Sequence, residues 1–235
     1  MDKYNVVLAV ISNSKDLVLK WTEDSQDRYF TGILVGNPDE IDIAELRTLI
    51  ESGRVKVIGE IGSQYQNIPI DDPSLDPVLA LAHEFDLPVL IHCAGLGGSS
   101  DFPIHLGNPL RVAKVLKKYP GLRVYLENAG WPFLEEVTSL MYQYPSVYAD
   151  ISTILHLTPR PVAYAYLRGL IEKGLGKRIM FGSDQMIWPE VIGENVEAIQ
   201  KAPCLSEEQK RDILYNNAAR FLRLSDEQIA KHHGR

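Results

Sequence analysis

Five short apolar runs in this 235-residue chain each end on a polar group. They are Glu60 in VIGEIG, His92 in PVLIHCAG, Glu127 with Asn128 in VYLENAGWP, Asp150 in VYADIS and Asp184 in IMFGSDQ. Carboxylates and imidazoles ligate divalent cations and move protons. A charge directly after a buried run is costly unless it is paired, liganded or solvated in a cleft. One such residue would mean little, but five on successive runs point to a shared site. Each also has a structural role open to it. Glu60 could pair with a lysine or a helix N-terminus, and His92 could be a satisfied core histidine. Asp150 could cap the next turn through Ser152 and Thr153, and Asp184 could cap the helix opened by Trp188-Pro189. Of Glu127 and Asn128, one could point into a helix layer. The remaining histidines have no ligand-spaced partner: His83 falls in a helical stretch, and His105 and His156 in loops. The terminal His232-His233 pair reads as solvent-facing.

The elements that must hold these groups alternate. Short apolar runs occur at 6–11, 30–35, 55–61, 88–93, 122–127, 146–151 and 177–182. Amphipathic stretches lie between them at 39–51, 73–85, 108–119, 132–144 and 159–173, several opened by proline, Asp or Ser as helix N-termini are. A further helix is expected over 206–222 with Ser206 as N-cap, and 225–235 reads as a polar, loosely docked tail. Alternation at about 30-residue spacing predicts repeated βαβ units and a parallel sheet, an α/β fold. A closed barrel of this kind uses eight strands, and seven runs are found. The expectation is a (β/α) TIM-type barrel with seven of eight βα units, one domain over 1–224 followed by the tail 225–235. Because the chain opens almost directly on a strand, the missing unit is expected to be the first. A doubly wound open sheet is the competing topology, but no G-x-G-x-x-G follows any run, so a dinucleotide site has no local support.

The formal net charge of −7 argues against a nucleic-acid surface, which needs a basic patch. The two cysteines, Cys93 and Cys204, form no C-x-x-C pattern, so a disulfide scaffold or cysteine zinc site is not expected and a reducing, cytoplasmic setting is. The run at 6–11 is too short to span a membrane and has no cationic leader, so no membrane partner is expected.

Taken in order, VIGEIG, PVLIHCAG, NAGWPF, VYADIS, IMFGSD and the closing NNAARFL resemble the amidohydrolase-related, metal-dependent hydrolases with a TIM-barrel fold, from about residue 2 to residue 222. The resemblance implies a catalytic divalent metal, zinc first, that generates hydroxide for attack on a carbonyl. His92 matches a metal-binding histidine, Asp184 the terminal aspartate that ligates metal and serves as general base, and Glu60 a strand-end glutamate that some branches use as ligand. Two departures stand out. No His-x-His occurs, and Asn128 stands where HAGWP would place a further histidine. Asparagine can hydrogen-bond a substrate oxygen but is a poor ligand for a soft metal.

The leading expectation is therefore a hydrolase of a small amide, lactone or related carbonyl compound. His92 and Asp184 are its catalytic residues, His92, Asp184 and Glu60 its metal ligands, and Asn128, Trp131 and Trp188 its substrate contacts. The alternatives are a metal-independent lactonase or decarboxylase, and a non-catalytic or truncated barrel that binds a ligand or partner. Unpaired edges on an open barrel would favour self-association into a homo-oligomer.

Overall fold

Alternation of apolar side chains decides which way each strand faces. The computed structural model describes residues 1–25, 27–185 and 187–234. All seven expected runs form strands: β1 (Ala9–Asn13), β2 (Tyr29–Val35), β3 (Val57–Ile61), β4 (Val89–His92), β5 (Val124–Glu127), β6 (Val147–Asp150) and β7 (Ile179–Met180). They pair in parallel in sequence order, and β1 does not pair with β7. The sheet therefore curls into an incomplete TIM-type barrel, with seven of the eight βα units.

The helices cover its outer face: α1 (Lys15–Thr22), α2 (Ile43–Glu51), α3 (Asp76–Glu84), α4 (Val112–Lys118), α5 (Leu134–Gln143), α6 (Ser152–Leu157), α7 (Arg160–Glu172) and α8 (Glu190–Gln200). Proline-led 3-10 turns at Pro38–Glu40, Pro73–Leu75 and Pro109–Arg111 delay the starts of α2, α3 and α4 relative to the sequence expectation. The C-terminal helix runs through α9 (Glu207–Arg211), a π-turn at Asp212–Asn216 and α10 (Asn217–Leu222). Ser206 caps it as expected, in a reciprocal capping box with Gln209.

Two apolar clusters follow from the period of two along each strand. The larger lies between sheet and helices, where Val35, Ile58, Ile91 and Leu126 meet Leu46, Val78, Leu140 and Leu167. Each such fully buried side chain contributes about 1.5–3 kcal/mol. The smaller fills the lower barrel: Val57, Leu90, Tyr125, Met180 and Phe221, with Val10, Phe30 and Tyr148 against them. Two residues further along β1, β4, β5 and β6, on that same inward face, come Ser12, His92, Glu127 and Asp150. An apolar floor thus carries a polar layer above it, at the C-terminal ends of the strands.

The edge of β7 is covered. The Asn217 side-chain amide donates to the carbonyl oxygens of Ile179 (2.6 Å) and Gly176 (2.8 Å). The Phe181 amide donates to Ile213 O at 2.8 Å. Across the seam, Tyr4 packs on α8 so closely that a Cβ on Gly193 would lie 2.5 Å from its ring.

Within the expected polar tail, Asp226–His233 forms α11, started by a Ser225–Gln228 capping box. Two sequence expectations about histidines are corrected. His232 is not solvent-facing. It is buried on this helix, with Nδ1 2.9 Å from the Tyr215 hydroxyl, while His233 stays exposed. His156, expected in a loop, lies in α6. Among the described residues, no helix is long and apolar enough to cross a membrane.

Candidate active site

Glu60 owes its position to the residue before it. Gly59 has φ +115°, and a Cβ there would lie 2.3 Å from the Leu90 carbonyl oxygen of β4. Only glycine fits that approach. The pairing of β3 with both neighbours slips at this point, as at a β-bulge, and the Glu60 amide donates to the Ser12 hydroxyl of β1. The Glu60 carboxylate reaches His92, with Oε1 3.2 Å from Nδ1. His92 is opposite Glu127 in the β4–β5 register. The ligand-capable atoms of Glu60, His92 and Glu127 all lie within 4.8 Å of one another.

The electrostatics of this group are unusual. His92 Nε2 lies 3.3 Å from the Leu96 carbonyl oxygen and 3.4 Å from the Tyr65 hydroxyl. On the other side of the ring, a proton or a cation between Nδ1 and the Glu60 carboxylate would satisfy both atoms. The carboxyl of Glu127 is pushed well above the usual carboxylate range by its removal from water. The charges of Glu60, Asp150 and Asp184, and a hydrogen bond with Glu60, push it the same way. Tyr65, on the turn after β3, lies against His92, its hydroxyl 3.3 Å from His92 Nδ1. Its ring packs against both His92 (4.7 Å between centroids) and Phe102 (5.2 Å).

Asp150 lies deeper and is bound on several sides. It accepts from the Tyr125 hydroxyl, from the backbone amides of Asn128 (3.0 Å) and Ser152 (2.9 Å), and from the Ser152 hydroxyl (2.6 Å). Burial raises its carboxyl, and these donors offset only part of that. Asp184 follows β7 with φ +46°, and its Oδ2 accepts from the Thr153 hydroxyl of α6.

The family profile described as amidohydrolase matches residues 1–224. The chain belongs to the amidohydrolase family. Protein fluG of Emericella nidulans is 23% identical over 155 residues, a stretch amounting to 60% of this chain but only 18% of that protein. Among solved structures, an uncharacterised TIM-barrel protein from Bordetella bronchiseptica superposes with TM-score 0.70 at 22% identity, over 94% of this chain and 73% of that one. A probable 2-pyrone-4,6-dicarboxylic acid hydrolase from Acinetobacter baumannii gives 0.71 at 15%, over 95% and 86%. The 5-carboxyvanillate decarboxylase of Sphingomonas paucimobilis gives 0.65 at 19%, over 96% and 81%. At these identities the likeness is one of fold.

Members of the amidohydrolase superfamily generally depend on a metal, and the donors here fit one. Glu60, His92 and Glu127 offer two carboxylates and an imidazole, crowded together in a way that a divalent cation would relieve. Asp184 stands outside that group, and Glu127 stands in it. Asn128 is turned away from the ligand cluster. It is buried, and its Oδ1 accepts from the Thr153 amide and lies near the Ser152 hydroxyl, both at 3.2 Å. Trp131 is partly buried against the main core, and Trp188 is 65% exposed before α8. Tyr65 and Thr153 were not singled out as site residues from the sequence. Tyr65 is on no strand and carries no local signal, and Thr153 reads only as part of the turn that Asp150 could cap. Glu127 does carry one, because it lies two residues after the inward-facing Tyr125.

Proposed function

We propose that this amidohydrolase-family protein is a metal-assisted hydrolase of a small amide, ester or lactone. The observation that carries this reading is the convergence of Glu60, His92 and Glu127 at adjacent strand ends. These three residues would hold the ion, which supplies Lewis acidity for acidifying water and polarising a carbonyl. The contact of Nε2 with the Leu96 carbonyl would keep the His92 ring in one orientation. Asp184, whose charge is felt by both Glu127 and Tyr65, takes the proton from the attacking water. Tyr65 and Phe102 wall the mouth and limit the substrate to a small molecule. Asn128 supports the site from behind, and Trp131 and Trp188 border it at most through their loops. The net charge of −7 and two unbridged cysteines fit a protein of a reducing, cytoplasm-like compartment that acts on small molecules.

The test is metal analysis of purified protein, followed by chelation, reloading with Zn²⁺ or Mn²⁺, and assay on 4-nitrophenyl acetate, N-acetyl amino acids and small lactones. Metal-dependent turnover that is lost in Asp184→Asn and His92→Asn is expected. Equal activity in Asp184→Asn would remove that residue from its role. Release of CO₂ from aromatic carboxylates without any hydrolysis would replace the reading with decarboxylation.

A further inference from the structure

Threonines inside a helix bond the carbonyl four residues back, as Thr48 and Thr138 do to Ala44 O and Leu134 O. Thr153 stands in the first turn of α6, where the carbonyl four residues back is that of Ala149 in β6, so its hydroxyl has no acceptor within the helix. Its hydroxyl leaves α6 and donates to Asp184 Oδ2, on the loop after β7. Thr153 is itself buried and held by its backbone, whose amide donates to Asn128 Oδ1. Asn128 is fixed in turn, since its own amide donates to Asp150, which also binds the Ser152 amide and hydroxyl. From the other side, the Asn195 side-chain amide of α8 donates to Ser152 O at 3.0 Å. The first turn of α6 is thus clamped from the turn after β5, from β6 and from α8, and the Thr153 hydroxyl points at Asp184.

Both ends of this chain of bonds have left-handed backbone, Asn128 at φ +63° and Asp184 at φ +46°. Such conformations cost non-glycine residues free energy and persist where the surroundings over-determine them.

We propose that Thr153 is the positioning residue for Asp184, and that Asn128 and Asp150 aim it. Asn128 is then not a substrate contact. It holds the Thr153 amide, and one oxygen of the proton acceptor is tied to Thr153 so that the other faces the site. The catalytic half of this inference rests on the proposed role of Asp184. The tether itself does not.

Both halves are tested with Thr153→Val, which keeps the shape and loses the donor, and Thr153→Ser, which keeps the donor. Side-chain three-bond couplings of Asp184, measured by NMR on the full chain, report its χ1 populations without any substrate. One rotamer is expected in the wild type and in Thr153→Ser, and averaging in Thr153→Val. On 4-nitrophenyl acetate with metal-loaded protein, kcat should fall about tenfold or more in Thr153→Val, with KM unchanged, and should return in Thr153→Ser. Unchanged couplings in Thr153→Val would overturn the tether. Averaged couplings with unchanged kcat, while Asp184→Asn is inactive, would overturn the positioning role. Loss of the tether effect and loss of Asp184 function are therefore read separately.

Discussion

Gly59→Ala should be among the most damaging single-methyl additions in this protein. The added Cβ would lie 2.3 Å from the Leu90 carbonyl oxygen and 2.9 Å from the Ile61 amide nitrogen. Both are backbone atoms, so no side-chain rotation relieves the contact, and β3 and β4 must part by about 1 Å to restore van der Waals distance. Overpacking of this kind costs about 1–3 kcal/mol. An L-residue at φ +115° adds about 1–3 kcal/mol of backbone strain. The sum, about 4 kcal/mol, corresponds to a fall in Tm of about 8–16 °C for a chain of this size. Gly36→Ala is the control, since nothing lies within 4 Å of its Cβ position. It should stay within about 0.5 kcal/mol of wild type. Differential scanning fluorimetry measures both, and adding Zn²⁺ measures the site. Because Glu60 is the next residue, Gly59→Ala should also lose most of any metal-induced rise in Tm. A Gly59→Ala protein melting within about 2 °C of wild type would refute the reasoning, because it would mean that β3 does not need glycine at the bulge.

Other outcomes follow from the same geometry. Asp212 is buried and accepts from Lys177 Nζ at 2.6 Å and from Asn216 at 3.0 Å. Burial alone would raise its carboxyl, but the Lys177 and Asn216 bonds and the charges of Lys177 and Arg220 outweigh it and hold it below the usual range. Its stabilisation is therefore present at neutral pH and lost as pH falls below the unfolded value of about 3.9 and through the lower folded one. Asp212→Asn should cost about 2 kcal/mol at pH 7 by urea unfolding, and the gap from wild type should narrow in acid. Leu167→Ala, at a fully buried position, should cost about 2–5 kcal/mol, whereas Leu157→Ala, at a 62% exposed one, should stay within about 0.5 kcal/mol. Ser225→Ala removes the side-chain half of the α11 capping box. It should speed amide exchange in Asp226–His233 by an amount equal to about 1 kcal/mol, leaving the barrel strands unchanged.

The sequence determined the repeating units by itself. Each strand is a short apolar run whose composition and flanks are local properties, so all seven were legible, as was Ser206 as a helix start. The polar residue at the end of five of the runs was legible for the same reason. What the sequence could not decide was which of those groups meet. Glu60 reaches His92 because a glycine bulge shifts the register of β3, and Glu127 joins them because β5 pairs beside β4 with those residues opposite. Asp150 and Asn128 turn instead to the first turn of α6. Those outcomes depend on strand pairing and on helix packing across residues far apart in the chain. The same holds for His232, whose burial needs Tyr215 on a different helix, and for Thr153, whose hydroxyl finds Asp184 only after β6 and β7 lie side by side. Local patterns fix elements and the direction they face. Convergence of side chains is a property of register and curvature, which arise only when the sheet is assembled.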